Sequence, residues 1–407
     1  MSTPLILVDQ IMIILVAGIV AAKLSERFGL PSIIPLFIIG YIVGPDVLGV
    51  FAPLSLGLSL SVLVTLAIPV ILFDEGMRID LKLLNEFKLT IFALATLAVA
   101  ISTIGIGIVA FLAFNMPPLE AILMGAILAA TSPAAAIAIN EQFKIEKKIS
   151  TIIEAEASLN DATSIVLFTI ISGAALGASI SLFSAISSFV ILFFGGLLAG
   201  ALLSLLIVFL IRRFRLEEYA FYLSLVNFLG AYAGAEALGA SGATAVVASG
   251  LVLGWFFSKK SSQGIMREKL RDIWSNLAFI SRSIIFLVLG AGFSLVALAS
   301  VWVQAIVVTL LLFVVIRPLS VFSATFFEKK LSRKEKYFIS WIGARGAVPA
   351  ALAASTIGLG ITGAQQIFDI VIVVVLASLI IVGFSGQRMA KFALPTFRTD
   401  EKKEEIK

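Results

Sequence analysis

Apolar residues in this chain arrive in long unbroken runs, separated by short polar and mostly basic segments. A helix needs about 20 apolar residues to cross a bilayer. Windows of that length predict thirteen spans, near 4–23, 33–52, 57–76, 89–114, 118–140, 151–175, 182–211, 219–238, 241–257, 277–298, 300–325, 337–357 and 361–386. With the N-terminus outside, every basic residue but Arg282, Arg317 and Arg345 falls in an inner loop or the tail. Lys and Arg favour the cytoplasmic side, so the alternation predicts an N-out, C-in, all-α polytopic membrane protein.

The composition agrees. The chain is 60% hydrophobic and 14% charged, against about 25% charged in soluble domains. Met1–Ile11 lacks the basic start of a cleaved signal peptide, so the first run is expected to be a retained span. Residues 1–392 read as one transmembrane domain and 393–407 as a short charged cytoplasmic tail, with the longest inner loop at Ser258–Asn276. The chain has neither Cys nor His, which excludes disulfides, thiol nucleophiles, imidazole metal sites and Ser-His catalysis. No Gly-rich phosphate loop is present. An enzyme, a bound cofactor and nucleotide-driven pumping are therefore not expected, nor is nucleic acid, since the positive charge is spread over membrane-flanking loops.

Against this apolar background one stretch stands out: Glu154-Ala-Glu156-Ala-Ser158-Leu-Asn160-Asp161-Ala-Thr163. An ionisable group at bilayer depth costs roughly 2.5–3.5 kcal/mol on insertion scales, so three carboxylates within eight residues mark a functional site. On a straight helix Glu154, Ser158 and Asp161 share one face, and Glu156 and Asn160 share roughly the opposite one. Asp161 and Glu156 are thus not expected to grip one bare ion together. Oxygen ligands without thiol or imidazole suit a hard cation. Leaving water disfavours the charged carboxylate, so a cation and a proton would compete for Asp161.

Prolines interrupt two other spans, at Thr131-Ser132-Pro133 and at Arg345-Gly346-Ala347-Val348-Pro349. Each proline removes a backbone donor and frees the carbonyl four residues earlier, at Ala129 and Arg345. Broken helices at bilayer depth line polar cavities. These two occupy the middle of spans four to six and eleven to thirteen, which the loop charges place in opposite orientations, as in inverted-repeat transporters. Carbonyls near Thr131 and the Thr131 and Ser132 hydroxyls would complete a shell of oxygens. Buried arginines need partners. For Arg317 and Arg345 these are expected among Glu156, Glu154, Asp74 and Glu75, whereas Arg282 is expected to reach the inner face. Asp9, Glu236 and Asp369 are expected to be solvated or near span ends, and Asp46 to lie in a turn.

Taken together, the motifs resemble those of the monovalent cation/proton antiporters, in the sodium/proton exchanger branch of NhaP type. They are Glu156-x-x-x-Asn160-Asp161-Ala-Thr163, Gly343-x-Arg345-Gly346-Ala347, Phe73-Asp74-x-Gly76-x-x-x-Asp80, Gly40-x-x-x-Gly44-Pro45 and Arg317-Pro318-Leu319. The resemblance covers essentially the whole chain. It implies a thirteen-helix antiporter fold and a homodimer in the cell membrane, with a transport bundle of spans four to six and eleven to thirteen working against the remaining spans. It further implies Asp161 as carrier of cation and proton, the Thr131 backbone oxygen as ligand, Asn160 as a brace, and Glu156 paired with Arg317 or Arg345. Two positions depart from the family pattern: Ser132 stands where an Asp is usual and Ala157 where a Ser is common, though Ser158 lies beside it. The implied reaction is electroneutral sodium or lithium exchange for protons. The less anionic shell leaves potassium exchange as the alternative, and a cation channel as a more distant one.

Overall fold

The computed structural model describes residues 3–28, 31–52, 58–133, 145–179, 181–258 and 264–394. The stretch that would complete span five, the loop lysines Lys144, Lys259 and Lys260, and the tail from residue 395 lie outside the described residues. All regular structure among those residues is helical. In chain order the helices are α1 (Thr3–Phe28), α2 (Ile33–Val43), α3 (Leu58–Arg78), α4 (Leu81–Glu86), α5 (Lys88–Phe114), α6 (Pro118–Ala129), α7 (Lys147–Ala175) and α8 (Leu182–Phe214). They continue as α9 (Ala220–Ala237), α10 (Gly242–Ser258), α11 (Gly264–Ala291), α12 (Leu295–Leu311), α13 (Arg317–Ala324), α14 (Arg333–Trp341), α15 (Ala347–Gly358) and α16 (Ala364–Ala393). Among the described residues seven helices are long and apolar enough to cross a bilayer, and four shorter apolar ones accompany them: Ile33–Val43, Pro118–Ala129, Gly242–Phe257 and Ala347–Gly358.

Packing divides the helices into two groups. In one, α10 lies against α8, α9 and α3, and α11 against α1, α2 and α3. In the other, α5 packs on α6, α7 and α13, and α16 on α12, α14 and α15. Few surfaces join the groups: α7 against α3, α8 and α10, and α15 against α11 and α3. Helices in lipid associate where small residues let backbones approach, and α3 and α10 show how. A Cβ on Gly76 would stand 2.5 Å from the Val247 carbonyl oxygen, and one on Gly250 would stand 2.4 Å from that of Phe73. Both contacts flank Asp74 and Glu75 and fix where α3 presents them.

Three elements differ from the sequence expectation. The tenth span begins earlier and ends earlier than 277–298: α11 runs from Gly264 to Ala291, and Leu295 opens the next helix. Its first turns carry Arg267, Glu268, Lys269, Arg271 and Asp272, which lower the mean hydropathy and disguise a helix as a loop. The eleventh span contains a π turn, Leu312–Ile316, between α12 and α13. Pro318 lacks the amide that would continue the ladder there, and a π turn absorbs such a break. Finally, Pro349 does not kink a helix. It lies in the first turn of α15, where a missing N–H costs nothing.

Candidate functional site

The site forms where α6 ends. Beyond Ala129 the chain leaves the helix, with Ala130 extended. The α14–α15 connection, Gly343 to Gly346, lies against it. Ser132 N donates to the Ala344 carbonyl at 2.7 Å, so the two non-helical segments cross with a backbone hydrogen bond. The carbonyl used is that of Ala344 and not that of Arg345, the one expected to be freed, because the chain is already non-helical before Pro349. Gly346 permits the approach, because a Cβ there would stand 2.4 Å from Ser132 Cβ.

Helix α7 carries the polar stretch into this crossing. Asn160 is fully buried and joins both sides. Its Oδ1 accepts from Thr131 N at 3.1 Å, and its Nδ2 donates to Thr131 Oγ1 and to Glu156 Oε1, each at 2.6 Å. Thr131 Oγ1 lies 3.4 Å from both Glu156 oxygens. Glu156 Oε1 then receives Arg317 Nη2 at 2.9 Å. One chain of bonds therefore runs from the α6 break through α7 to the π turn. Arg345 takes no part in it. Its Nη1 donates to the Gly343 carbonyl at 2.5 Å and its backbone N to Ser378 Oγ at 2.9 Å. It has no carboxylate at ion-pair distance among the described residues, and Glu156 is taken by Arg317, Asn160 and Thr131.

Asp161, the neighbour of Asn160, is 3% exposed, and its Oδ1 has no hydrogen-bond partner among the described residues. Ser158 Oγ donates to the Glu154 carbonyl of its own helix at 3.0 Å, and half-buried Glu154 accepts from Ser150 Oγ at 2.6 Å. Glu154 is therefore not the ion-pair partner of Arg317 or Arg345, since its carboxylate turns back along α7 to Ser150. Asp74 and Glu75 do not pair with Arg317 or Arg345 either. Asp74 pairs with Arg78 at 3.1 Å, one turn along α3, and Glu75 with Arg282 at 3.5 Å. Arg282 accordingly does not snorkel: α11 starts 18 residues before it, which places it well inside the helix. Asp369 is likewise buried, four residues after Gln365, which donates to it at 3.0 Å. Glu236 is exposed and accepts from Gly242 N at 2.8 Å, capping α10, and Asp46 lies in a turn.

Beside the site, between the two helix groups, lies a cavity of about 270 Å³. Thr65 of α3, Tyr232 of α9, Ile165 and Thr169 of α7 and Ser355 of α15 help to line it. Ile165 and Thr169 follow Asp161 at four-residue steps, so the cavity runs along the same face of α7 as the buried carboxylate.

A buried acid without a full set of partners, beside two crossed helix breaks, is an arrangement for handling a small cation and a proton. Residues 11–392 match the family described as sodium/hydrogen exchanger, transmembrane. The chain belongs to this family. Its reaction is cation/proton antiport, and it is a transporter rather than an enzyme. The chain is 31% identical over 389 residues to the Na(+)/H(+) antiporter ApNhaP of Aphanothece halophytica, covering 93% of this chain and 73% of that one. It is 31% identical over 390 residues to the K(+)/H(+) antiporter NhaP2 of Shewanella sp. (strain MR-4), covering 93% of this chain and 66% of that one. The structure of the sodium proton antiporter MjNhaP1 from Methanocaldococcus jannaschii superposes with a TM-score of 0.82 at 25% identity, covering 97% of this exchanger and all of that chain.

The sequence pointed to Asp161, Asn160, Thr131 and Glu156 because polar residues are conspicuous in an apolar run. It did not indicate Ser378, the Ala344 carbonyl or the Glu75–Arg282 pair, which exist only through packing between distant helices.

Proposed function

We propose that Asp161 carries the transported ions, binding either one monovalent cation or one proton and alternating between the two sides of the membrane. One observation carries this reading: Asp161 is a deeply buried carboxylate with an oxygen that has no hydrogen-bond partner among the described residues, next to the Asn160–Thr131 brace. Ionised, it would be too costly to leave unmatched, so either a cation or a proton must accompany it through the cycle. One site with two mutually exclusive occupants makes the exchange electroneutral. The Thr131 backbone oxygen and the Ser132 hydroxyl supply further oxygens, with Ser158 nearby. Asn160, Glu156 and Arg317 hold the break in place.

Helices α5–α7 and α12–α16 form the transport bundle and the other group the scaffold, through which two copies pair as a homodimer. The chain sits in the cell membrane with thirteen spans, its C-terminus in the cytoplasm, and serves pH homeostasis. Sodium and lithium are the expected cations, as for the relative named a Na(+)/H(+) antiporter. Potassium is the second reading, on the strength of Ser132 and of the relative named a K(+)/H(+) antiporter.

The test uses proteoliposomes with an acid interior and a ΔpH-sensitive dye. Sodium, lithium or potassium added outside dissipates the gradient for a transported ion, and Asp161→Asn abolishes the response while the protein stays folded. Exchange by Asp161→Asn at the native rate would refute the carrier assignment. Net current accompanying exchange would refute electroneutrality.

A further inference from the structure

Asp74 and Arg78 pair within α3, whereas Glu75 and Arg282 form an ion pair that joins two helices and that the exchange reaction does not yet use. Both residues belong to the scaffold group, Glu75 on α3 and Arg282 on α11. Helix α3 also packs directly on α7, the helix that carries Asp161. The pair is loose: Arg282 Nη2 lies 3.5 Å from Glu75 Oε1, where a tight charge-assisted bond would be about 2.7–2.9 Å. Glu75 Oε2 has no hydrogen-bond partner among the described residues, and Glu75 is 4% exposed. Both members of the pair act electrostatically on Asp161.

The charges near the carrier can be matched one by one. Glu156 is neutralised by Arg317. Glu75 is neutralised by Arg282. Arg345 is fully buried with no carboxylate at ion-pair distance among the described residues, its charge acts on Asp161 from further off, and Asp161 is left to the transported ions. Removing Arg282 would leave Glu75 without its counter-charge, so that Glu75 as well as Asp161 would need a cation or a proton, and at alkaline pH, where protons are scarce, a cation would be held more tightly.

We propose that Arg282 is an affinity-setting residue: its guanidinium stands in for a cation at Glu75 and so keeps the carrier site at low affinity for the transported cation. The cost of an additional charge at a buried site is steep, so a built-in cation prevents the site from trapping its cargo. Arg282 touches no transported ion. It acts through Glu75 and through its own charge, and the inference rests on Asp161 being the carrier.

The experiment measures cation KM and maximal exchange rate in proteoliposomes for the wild type, Arg282→Gln, Arg282→Lys, Glu75→Gln, the double variant Glu75→Gln/Arg282→Gln, and Asp161→Asn. Arg282→Gln is expected to lower KM roughly five- to tenfold, and Glu75→Gln to raise it by a similar factor, from one unit of charge at partly screened range. Arg282→Lys and the double variant are expected within about twofold of the wild type, because the local charge is unchanged. A role as a mechanical brace predicts slower exchange in every variant that breaks the pair, without KM following charge. An unchanged or higher KM in Arg282→Gln, or a double variant resembling Glu75→Gln, overturns the proposal. If Arg282→Gln does not reconstitute, Glu75→Gln against the double variant decides by the same criterion. Native exchange by Asp161→Asn would instead remove the carrier reading itself, whatever the order of the other KM values.

Discussion

Glu156 and Arg317 are both at most 2% exposed and lie 2.9 Å apart. Removing one member of such a pair leaves a buried charge without its counter-ion and costs about 3–5 kcal/mol. Arg317→Gln and Glu156→Gln are therefore each expected to lower the melting temperature of the detergent-solubilised exchanger strongly. Glu156→Gln/Arg317→Gln is expected to recover most of the loss, since no unpaired charge remains. A double variant as unstable as the worse single would show that the pair matters through shape rather than charge. The sequence made Glu156 conspicuous but left its partner open between Arg317 and Arg345. The reason is the π turn at Leu312–Ile316, which adds a residue to one turn and rotates everything after it. Counting along a straight helix cannot anticipate that rotation. Asn160 and Thr131 posed no such difficulty, because they bond across one short contact between α6 and α7.

At the level of elements, the decisive feature is the crossing of two chain segments that carry no helix. Both breaks were legible, since Pro133 and Pro349 stand in otherwise apolar spans. Their meeting was not, because nothing local encodes a bond from Ser132 to Ala344, 212 residues away. Gly346 is the element on which it depends. Gly346→Ala would drive a methyl group to 2.4 Å from Ser132 Cβ, which real structures do not tolerate. Gly346→Ala is expected to reduce exchange at least tenfold by misplacing the Thr131 oxygen, since a displacement of about 1 Å can cost a factor of 100. Ser132→Gly removes the atoms that collide, so Ser132→Gly/Gly346→Ala is expected to exchange faster than Gly346→Ala alone. Failure of that rescue in flux assays would mean that Gly346 is needed for its backbone freedom and not for the close approach. The tenth span teaches the opposite lesson. Charges at its start hid a helix, and with it the depth of Arg282.

For the whole molecule, ion pairs on the face carrying the basic loops tie α7 to its surroundings: Lys147 with Asp80 and Lys148 with Glu335, each at 2.7 Å. The hydrogen bond from Lys147 holds the Asp80 carboxyl below its usual range. A depressed folded value means that the tie is fully present above the ordinary aspartate pKa of about 3.9 and is lost only as pH falls through the depressed one. Asp80→Asn is accordingly expected to leave the shape of the rate–pH profile unchanged between about pH 5 and 9, so that any switch in this range must originate elsewhere. The movement itself can be tested directly, because the chain contains no cysteine. Thr65 on α3 and Ser355 on α15 line the same cavity from opposite helix groups. If the transport bundle slides or rocks against the scaffold, a bismaleimide joining Thr65→Cys to Ser355→Cys should stop exchange. A linker with a cleavable disulfide should then restore it on reduction, and neither single variant should respond to the reagent. Exchange that continues at full rate through a verified cross-link would show that the ions cross without the two groups moving apart at this cavity, and the alternating movement would have to be sought within the transport bundle itself.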